Sequence, residues 1–367
     1  MNHRRLHLLL APKERFEPAG AGAFALNVLE TSRVSRWKSG ITVFGSPVAQ
    51  PFTDVAFRPI AAPKWSLRGR NVAMALRYAN AVKREPPDLV EVYNRPVMVD
   101  PLRRRLAGTR LILHLGNDPR GMDGSRSVAE RKKLLAQCDA IVCVSEFMRR
   151  CFLDGVDDPL FRRAGVIHTG VQAPAAFPDG KDKTIVFVGR VVPEKGVLHL
   201  VQALVRVLPQ HPSWTAHIIG ARWFANSGAL SSYEKEVLHA ARQSERILAE
   251  GFRPHDDVIA ALRKASIAVV PSCWDEPGHP RTADEALAQG AALICSKRGG
   301  IPEIGLERAL FVDEVSADSL AAALNRLMSD DAELRALQRR GWEDFPFEIT
   351  RTTRHLDDLR AQVMERN

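Results

Sequence analysis

TIVFVGRVVPEKGVLHLV, residues 184–201, decides the fold. Thr184–Val188 is an apolar, β-branched run of strand length. Gly189 lets the backbone turn, and Pro193 stands near a helix start, where its missing N–H costs little. Gly196–Val207 then repeats apolar residues at helical spacing. Strand, glycine loop and helix in this order make one unit of a parallel sheet covered by helices.

The unit recurs on both sides. Downstream, strands are expected at Thr215–Ile219, Arg246–Leu248, Ile267–Val270 and Ala292–Cys295. Helices are expected at Ser232–Gln243, Asp256–Lys264, Thr282–Gln289, Ala317–Met328 and Ala332–Arg340. Upstream, VQAPAAFPDGKDK (171–183) has no periodicity and reads as a linker. Before it, strands are expected at Leu8–Ala11, Ile41–Phe44, Leu89–Val92, Arg110–Leu113 and Ala140–Val144. The helices between them are Ala23–Arg36, Asn71–Glu85, Ser127–Gln137 and one starting at Glu146. The pattern predicts an α/β protein of two doubly wound, Rossmann-like domains. They divide as 1–175 and 176–348, and a charged helix within 349–367 packs back on the first.

Size and charge agree. A chain of 367 residues fits two domains at roughly 100–200 residues each. The net charge is +9, from 52 basic and 43 acidic residues, with basic clusters at Arg103–Arg105, Arg131–Lys133, Arg149-Arg150 and Arg162-Arg163. Solvated helix faces explain such clusters, and so does contact with an anionic membrane. Nucleic acid is not expected as a partner, because no helix-turn-helix, zinc finger or aromatic RNA-binding pattern is present. Five cysteines, an odd number without a C-x-x-C pair, argue against a disulfide framework or zinc site and for a reducing cytoplasm. No signal peptide is read at the start, and no apolar stretch reaches the roughly 18 residues of a spanning helix.

In open α/β sheets, ligands bind at the carboxyl ends of the strands. Chemistry-bearing residues follow several strands here. Arg190 and Lys195 flank a helix start, a setting suited to a diphosphate and equally to exposed surface charge. PSCWDEPGHPRTADEA (271–286) follows the next strand but two and carries Glu276, Pro277, Gly278, Thr282 and Glu285. Carboxylates grip vicinal hydroxyls well, yet Thr282-x-x-Glu285 also reads as a capping box. Ser296–Ile304 brings a Gly-Gly turn to the same rim. In the first half, Gly20 and Gly22 open the first helix. With Ala25 they fit G-x-G-x-x-A, but the second strand ends in Phe44-Gly45-Ser46 without a ribose-binding acid, so a nicotinamide cofactor is not expected. His114, Asn117 and Asp118 follow one strand and Asn94 another.

Together these motifs resemble the retaining GT-B glycosyltransferases of family 4, the group 1 glycosyl transferases. VGRVVPEKG, PSCWDEPG and DEALAQGAALICSKRGGIPEI carry the likeness in the second half. VEVYNRP, LILHLGNDP and IVCVSEFMR are similar to a bacterial branch associated with surface-glycan and polysaccharide assembly. The resemblance implies two Rossmann-like domains facing across a cleft and transfer from a nucleotide-diphosphate sugar, UDP-linked by expectation. No cofactor or metal is implied. The expected acceptor is a glycan or lipid-linked hydroxyl, and the expected location is cytoplasmic, with peripheral contact at the inner face of the plasma membrane. Arg190 and Lys195 would neutralise the diphosphate, with His114 as the catalytic-site histidine. Glu276 would hold the sugar hydroxyls with Pro277 and Gly278 beside it, Glu285 the ribose with Thr282 near it, and Gly20 and Gly22 the phosphate loop. Asn94, Asn117 and Asp118 fall on the acceptor side.

Two departures stand out. The family's two glutamates usually enclose seven residues; eight separate Glu276 from Glu285, an insertion around Gly278-His279-Pro280 that Asp284 would undo. Related sequences often carry His where Gly116 stands, which leaves His114 a buried strand residue as a second reading. The alternatives to a transferase are an epimerase-like or phosphorylase-like enzyme of the same fold, and a non-catalytic nucleotide- or glycan-binding protein.

Overall fold

The alternating runs build two parallel sheets in the computed structural model, which describes residues 4–63, 66–222, 229–274, 278–305, 307–343 and 345–365. The chain forms two units: one holds the residues up to Gly170 and those from Ile349 onward, the other Val171–Glu348.

The N-terminal unit contains β1 (Leu6–Leu9), β2 (Ile41–Gly45), β3 (Ala56–Pro59), β4 (Leu89–Tyr93), β5 (Arg110–Leu115), β6 (Ala140–Cys143) and β7 (Ala164–Val166). They pair in the order β3-β2-β1-β4-β5-β6-β7, every pairing parallel. Successive side chains alternate between faces: Leu6, Leu8 and Leu10 join the core on one side of the sheet, Leu9 the core on the other. The first strand starts at Leu6, within the one or two residues of earlier start that the apolar run allows, and ends at Leu9, two residues before the expected Ala11. The edge strands β3 and β7 escape sequence reading, because β3 buries no residue and β7 has three.

The second unit contains β8 (Asp182–Val188), β9 (Thr215–Ile219), β10 (Ile247–Gly251), β11 (Ala265–Val270), β12 (Ala292–Ser296) and β13 (Ala309–Val312), in the order β10-β9-β8-β11-β12-β13. Here too the period is two: Ile185, Phe187, Ile267 and Val269 face one core, Val186, Ala268 and Val270 the other. The expected linker is partly structured. Val171 bridges to Glu348 in parallel, and the strand β8 starts at Asp182. Lys181 donates to the Arg263 carbonyl at 2.8 Å and also to that of Gln289, tying the segment to two helix ends.

The C-terminal helix Ile349–Glu365 belongs to the N-terminal unit, where it packs on the first helix, Ala23–Val34. A buried ionic cluster fixes it. Arg360 is fully buried and donates to both Glu91 oxygens, at 2.6 and 3.2 Å, and to Asp357 Oδ1 at 2.9 Å. Asp357 in turn accepts from Ser35 Oγ at 2.7 Å and from the Arg36 amide at 2.8 Å. All five cysteines are free thiols. Among the described residues no helix is long and apolar enough to cross a membrane.

Candidate functional site

In the second unit, the loops after β8, β9, β10 and β11 are joined by backbone contacts, two of them too close for a side chain, and the end of β12 is joined to them through a serine hydroxyl. The Gly189 amide donates to Ile219 O at 3.0 Å, and the Gly220 amide to Gly251 O at 2.7 Å. A Cβ on Gly220 would sit 1.8 Å from Gly189 O. Gly196 is left-handed, at φ 66°, and starts the helix Val197–Val207. A Cβ there would lie 2.0 Å from Pro271 O, so the loop 189–196 lies directly on the loop after β11. The Cys273 amide then donates to Glu194 O at 2.9 Å, and Ser296 Oγ to Ser272 O at 2.7 Å. The three motif loops expected on one rim are thus hydrogen-bonded to one another. Gly196→Ala is expected to force the first two apart. Its measurable consequence is a lowered melting temperature and loss of any nucleotide-induced stabilisation; a variant that behaves as the parent does would contradict the contact.

Arg190 is exposed on this rim and Lys195 is partly buried. Burial lowers the Lys195 pKa and Arg190 lowers it further, against Glu194, which raises it. A half-buried ammonium whose charge is opposed by a neighbouring guanidinium is relieved by an anion. The helix N-terminus beside them is partly used already: the Leu198 amide donates to the Tyr233 hydroxyl at 3.1 Å. Buried Ser272 Oγ and Glu194 Oε2 have no hydrogen-bond partner among the described residues, leaving polar atoms on both joined loops.

The helix Arg281–Ala288 follows. Its start corrects the expected capping box: the N-cap is Pro280, no side chain caps the helix, and Thr282 stands in the first turn, partly exposed. Glu285 is buried, and its Oε1 accepts from Arg281 Nε at 2.6 Å and from His255 Nε2 at 2.7 Å. Burial raises its pKa, but Arg281 and His255 outweigh this and bring it below the ordinary value, so the carboxylate is ionised. Asp284, the other candidate for the family spacing, is fully buried against His279, with Nε2–Oδ2 at 2.8 Å. His279 packs edge-on against Phe347, with ring centroids 4.8 Å apart. The extra residue in the loop is therefore folded inward, and it takes Asp284 with it. Gly278 is buried beside His279. Glu276 and Pro277 lie outside the described residues.

In the N-terminal unit, Gly22 is the N-cap of the helix Ala23–Val34, its carbonyl accepting from the Leu26 amide at 3.0 Å; Gly20, two residues earlier, is buried. Asn94 has φ 54°, and its side chain bridges two strand ends, donating to Asn117 Oδ1 at 2.5 Å and accepting from the Gly116 amide at 3.2 Å. Asp118 is held by Arg120, through Nε at 3.0 Å and Nη2 at 2.7 Å, and caps the turn Pro119–Gly121. His114 is 5% exposed, stacks on Tyr93 at 4.3 Å, and its Nε2 donates to Glu91 Oε2 at 2.9 Å. It belongs to the Arg360 cluster, so the structure favours the buried reading of this histidine. A Cβ on Gly116 would lie 2.4 Å from Phe24 Cζ; the ring of Phe24 fills that place.

Sequence reading missed Arg281, His255 and Tyr233. The i,i+4 spacing of Arg281 and Glu285 was a readable signal; nothing local pointed to His255 or Tyr233. Among the described residues no three His, Cys, Asp or Glu side chains are grouped to hold a metal ion.

Residues 172–343 match the family model for glycosyl transferases group 1. Spore coat protein SA of Bacillus subtilis is 28% identical over 290 residues, which span 71% of this chain and 75% of that protein. The lipopolysaccharide 1,2-N-acetylglucosaminetransferase of Salmonella typhimurium is 31% identical over 156 residues, 41% of this chain and 40% of that enzyme. Alr3699/HepE of Anabaena, solved in complex with UDP-glucose, superposes with a TM-score of 0.75 at 14% identity over 97% of this chain and 99% of that one, a likeness of fold. The fold is GT-B, with two Rossmann-like parallel-sheet domains.

Proposed function

The chain is a glycosyltransferase, and from that premise we propose that it is a retaining, family 4 enzyme of surface-glycan assembly whose donor is a nucleotide-diphosphate sugar. The observation that supports the donor reading is the joined rim of the second unit, where Arg190 and Lys195 stand beside a helix start and make no salt bridge among the described residues. The diphosphate occupies that rim. Glu285, held ionised by Arg281 and His255, accepts from the ribose hydroxyls, and Glu276 from the sugar. In the transfer step the bond between the anomeric carbon and the diphosphate oxygen breaks and a bond to the acceptor oxygen forms. The acceptor proton passes to the departing diphosphate. Arg190 and Lys195 stabilise the charge that develops there, without a metal. Groups of the N-terminal unit, with Asn94 and Asn117 at strand ends, bind the acceptor, a glycan or lipid-linked hydroxyl. The Salmonella relative, named for transfer onto lipopolysaccharide, supports the surface-glycan setting.

The test is thermal unfolding of the purified protein with UDP, GDP, ADP and their sugars, without added metal. A ligand at about a hundredfold its Kd adds about 2.7 kcal/mol to the native state. One nucleotide is expected to raise the melting temperature selectively, and Lys195→Ala to abolish the rise. If no nucleotide stabilises the parent, the donor assignment fails.

A further inference from the structure

The N-terminal sheet has a switch point of its own. Its order β3-β2-β1-β4-β5-β6-β7 reverses between β1 and β4, which pair in parallel with Leu9 opposite Val92. In open α/β sheets, the crevice beyond two such strand ends is where ligands bind. Most polar groups around it are already engaged. Asn94 holds Asn117 and the Gly116 amide, and Asp118 holds Arg120. Buried Glu17 accepts from the Ala49 and Gln50 amides at 3.1 and 3.3 Å. Two charged groups are left over. Glu14, after β1, and Arg95, after β4, are each partly buried, and neither forms an ion pair among the described residues. Arg95 Nη1 donates to the Asn94 carbonyl, which leaves its other N–H groups open.

The loop that carries Glu14 is fixed on both sides. The Pro12 carbonyl accepts from Ser46 Oγ at 2.8 Å. Phe16 is fully buried against Phe52 and Phe57, with ring centroids 5.2 and 5.4 Å away, and its carbonyl accepts from the Phe52 amide at 3.2 Å. Burial raises the Glu14 pKa, and Arg95 opposes the rise, so the two groups lie within electrostatic reach. Holding a carboxylate there without a partner costs stability. A carboxylate only accepts hydrogen bonds and a guanidinium only donates them. An anionic ligand is repelled by the first and a cationic one by the second. A neutral ring with adjacent hydroxyls suits both, its O–H groups donating to Glu14 and its oxygens accepting from Arg95.

We propose that Glu14 and Arg95 bind adjacent hydroxyls of an uncharged pyranose, the terminal sugar of the acceptor. The assignment rests on the transferase reading above and names what its acceptor side recognises. A carboxylate that served the fold instead would be paired, as Glu17 and Glu91 are, and neutralising it would cost stability. Neutralising an unpaired one removes a penalty, so Glu14→Gln, which keeps the shape, should melt no lower than the parent.

The probes are the methyl glycosides of glucose, galactose, mannose and N-acetylglucosamine, with methyl glucuronide as the charged control. Their binding to the full chain is read by saturation-transfer NMR, with and without UDP. At least one neutral glycoside is expected to bind, and more tightly than the glucuronide. Glu14→Gln and Arg95→Ala should each weaken it by at least about tenfold, the loss of a hydrogen bond to a charged group. Four outcomes overturn the proposal. They are no neutral glycoside bound by the parent, the glucuronide bound best, either variant binding as the parent does, or a lower melting temperature in Glu14→Gln, which would make the carboxylate a structural one. Nucleotide stabilisation of the parent is measured beside these. Its absence with a glycoside bound removes the donor reading and leaves the sugar site; its presence with no glycoside bound does the reverse.

Discussion

Arg360→Ala is expected to destabilise the N-terminal unit by about 3–5 kcal/mol, the usual cost of breaking a buried ion pair from one side. The guanidinium is fully buried between Glu91 and Asp357. Its loss leaves the Glu91 carboxylate at 0% exposure with, among the described residues, the Tyr93 hydroxyl at 2.8 Å and His114 as its remaining side-chain donors. It also releases the C-terminal helix from β4. Burial alone would raise the Glu91 pKa, but Arg360 and His114 outweigh it and depress the pKa well below 4.5. The sign follows. The stabilisation is whole above pH 4.5, the unfolded value, and is lost as pH falls toward the depressed folded value. Urea unfolding at neutral pH should show the full loss in Arg360→Ala, and the difference from the parent should shrink below pH 4.5. Replacing Glu91 and Arg360 together by methionine should recover much of the loss, since a dry apolar pair carries no desolvation cost. Equal stability of parent and Arg360→Ala at neutral pH would refute the account.

His279→Ala is expected to have the second large effect, here on the unit that carries the proposed donor rim. The side chain is fully buried, paired with Asp284 and packed on Phe347. Its removal leaves a buried carboxylate and a void, again about 3–5 kcal/mol, at the start of the helix that holds Glu285. Weaker nucleotide binding should accompany the lower stability. Burial lowers the His279 pKa, but Asp284 and, more weakly, Glu303 outweigh it, and the net shift is upward. A raised folded pKa means the stabilisation is complete below pH 6.5 and is lost as pH rises through the folded value. The parent should therefore lose melting temperature and nucleotide affinity on the alkaline side of neutrality, and His279→Ala should not add to that loss. An alkaline slope of the same size in both proteins would show that some other group titrates.

These residues mark where sequence reading stops. The runs at Thr184–Val188 and Arg110–Leu113 could be read as strands because each sends branched apolar residues into the cores on both faces of its sheet. The strand Ala309–Val312 was missed because four residues, two of them partly exposed, carry no usable pattern. The joined loops of the second unit were legible because Gly189 and Gly196 answer backbone demands that local sequence expresses directly. The capping box was misread for the same reason in reverse. Thr282-x-x-Glu285 has the right local form, but Arg281 and His255 compete for the carboxylate, and His255 comes from another helix.

The sequence by itself determined that two parallel sheets form, where most of their strands lie, and that basic and acidic groups follow several of those strands. Periodicity and turn chemistry are local, and each residue reports them without knowing its neighbours in space. Only the tertiary structure decided which charged group meets which: Asp284 with the inserted His279, leaving Glu285 to Arg281 and His255, and His114 and Arg360 with Glu91. In a buried site a charge persists only beside a partner, and the partner is chosen by packing. Glu91 and Arg360, 269 positions apart, meet because a helix crosses a strand.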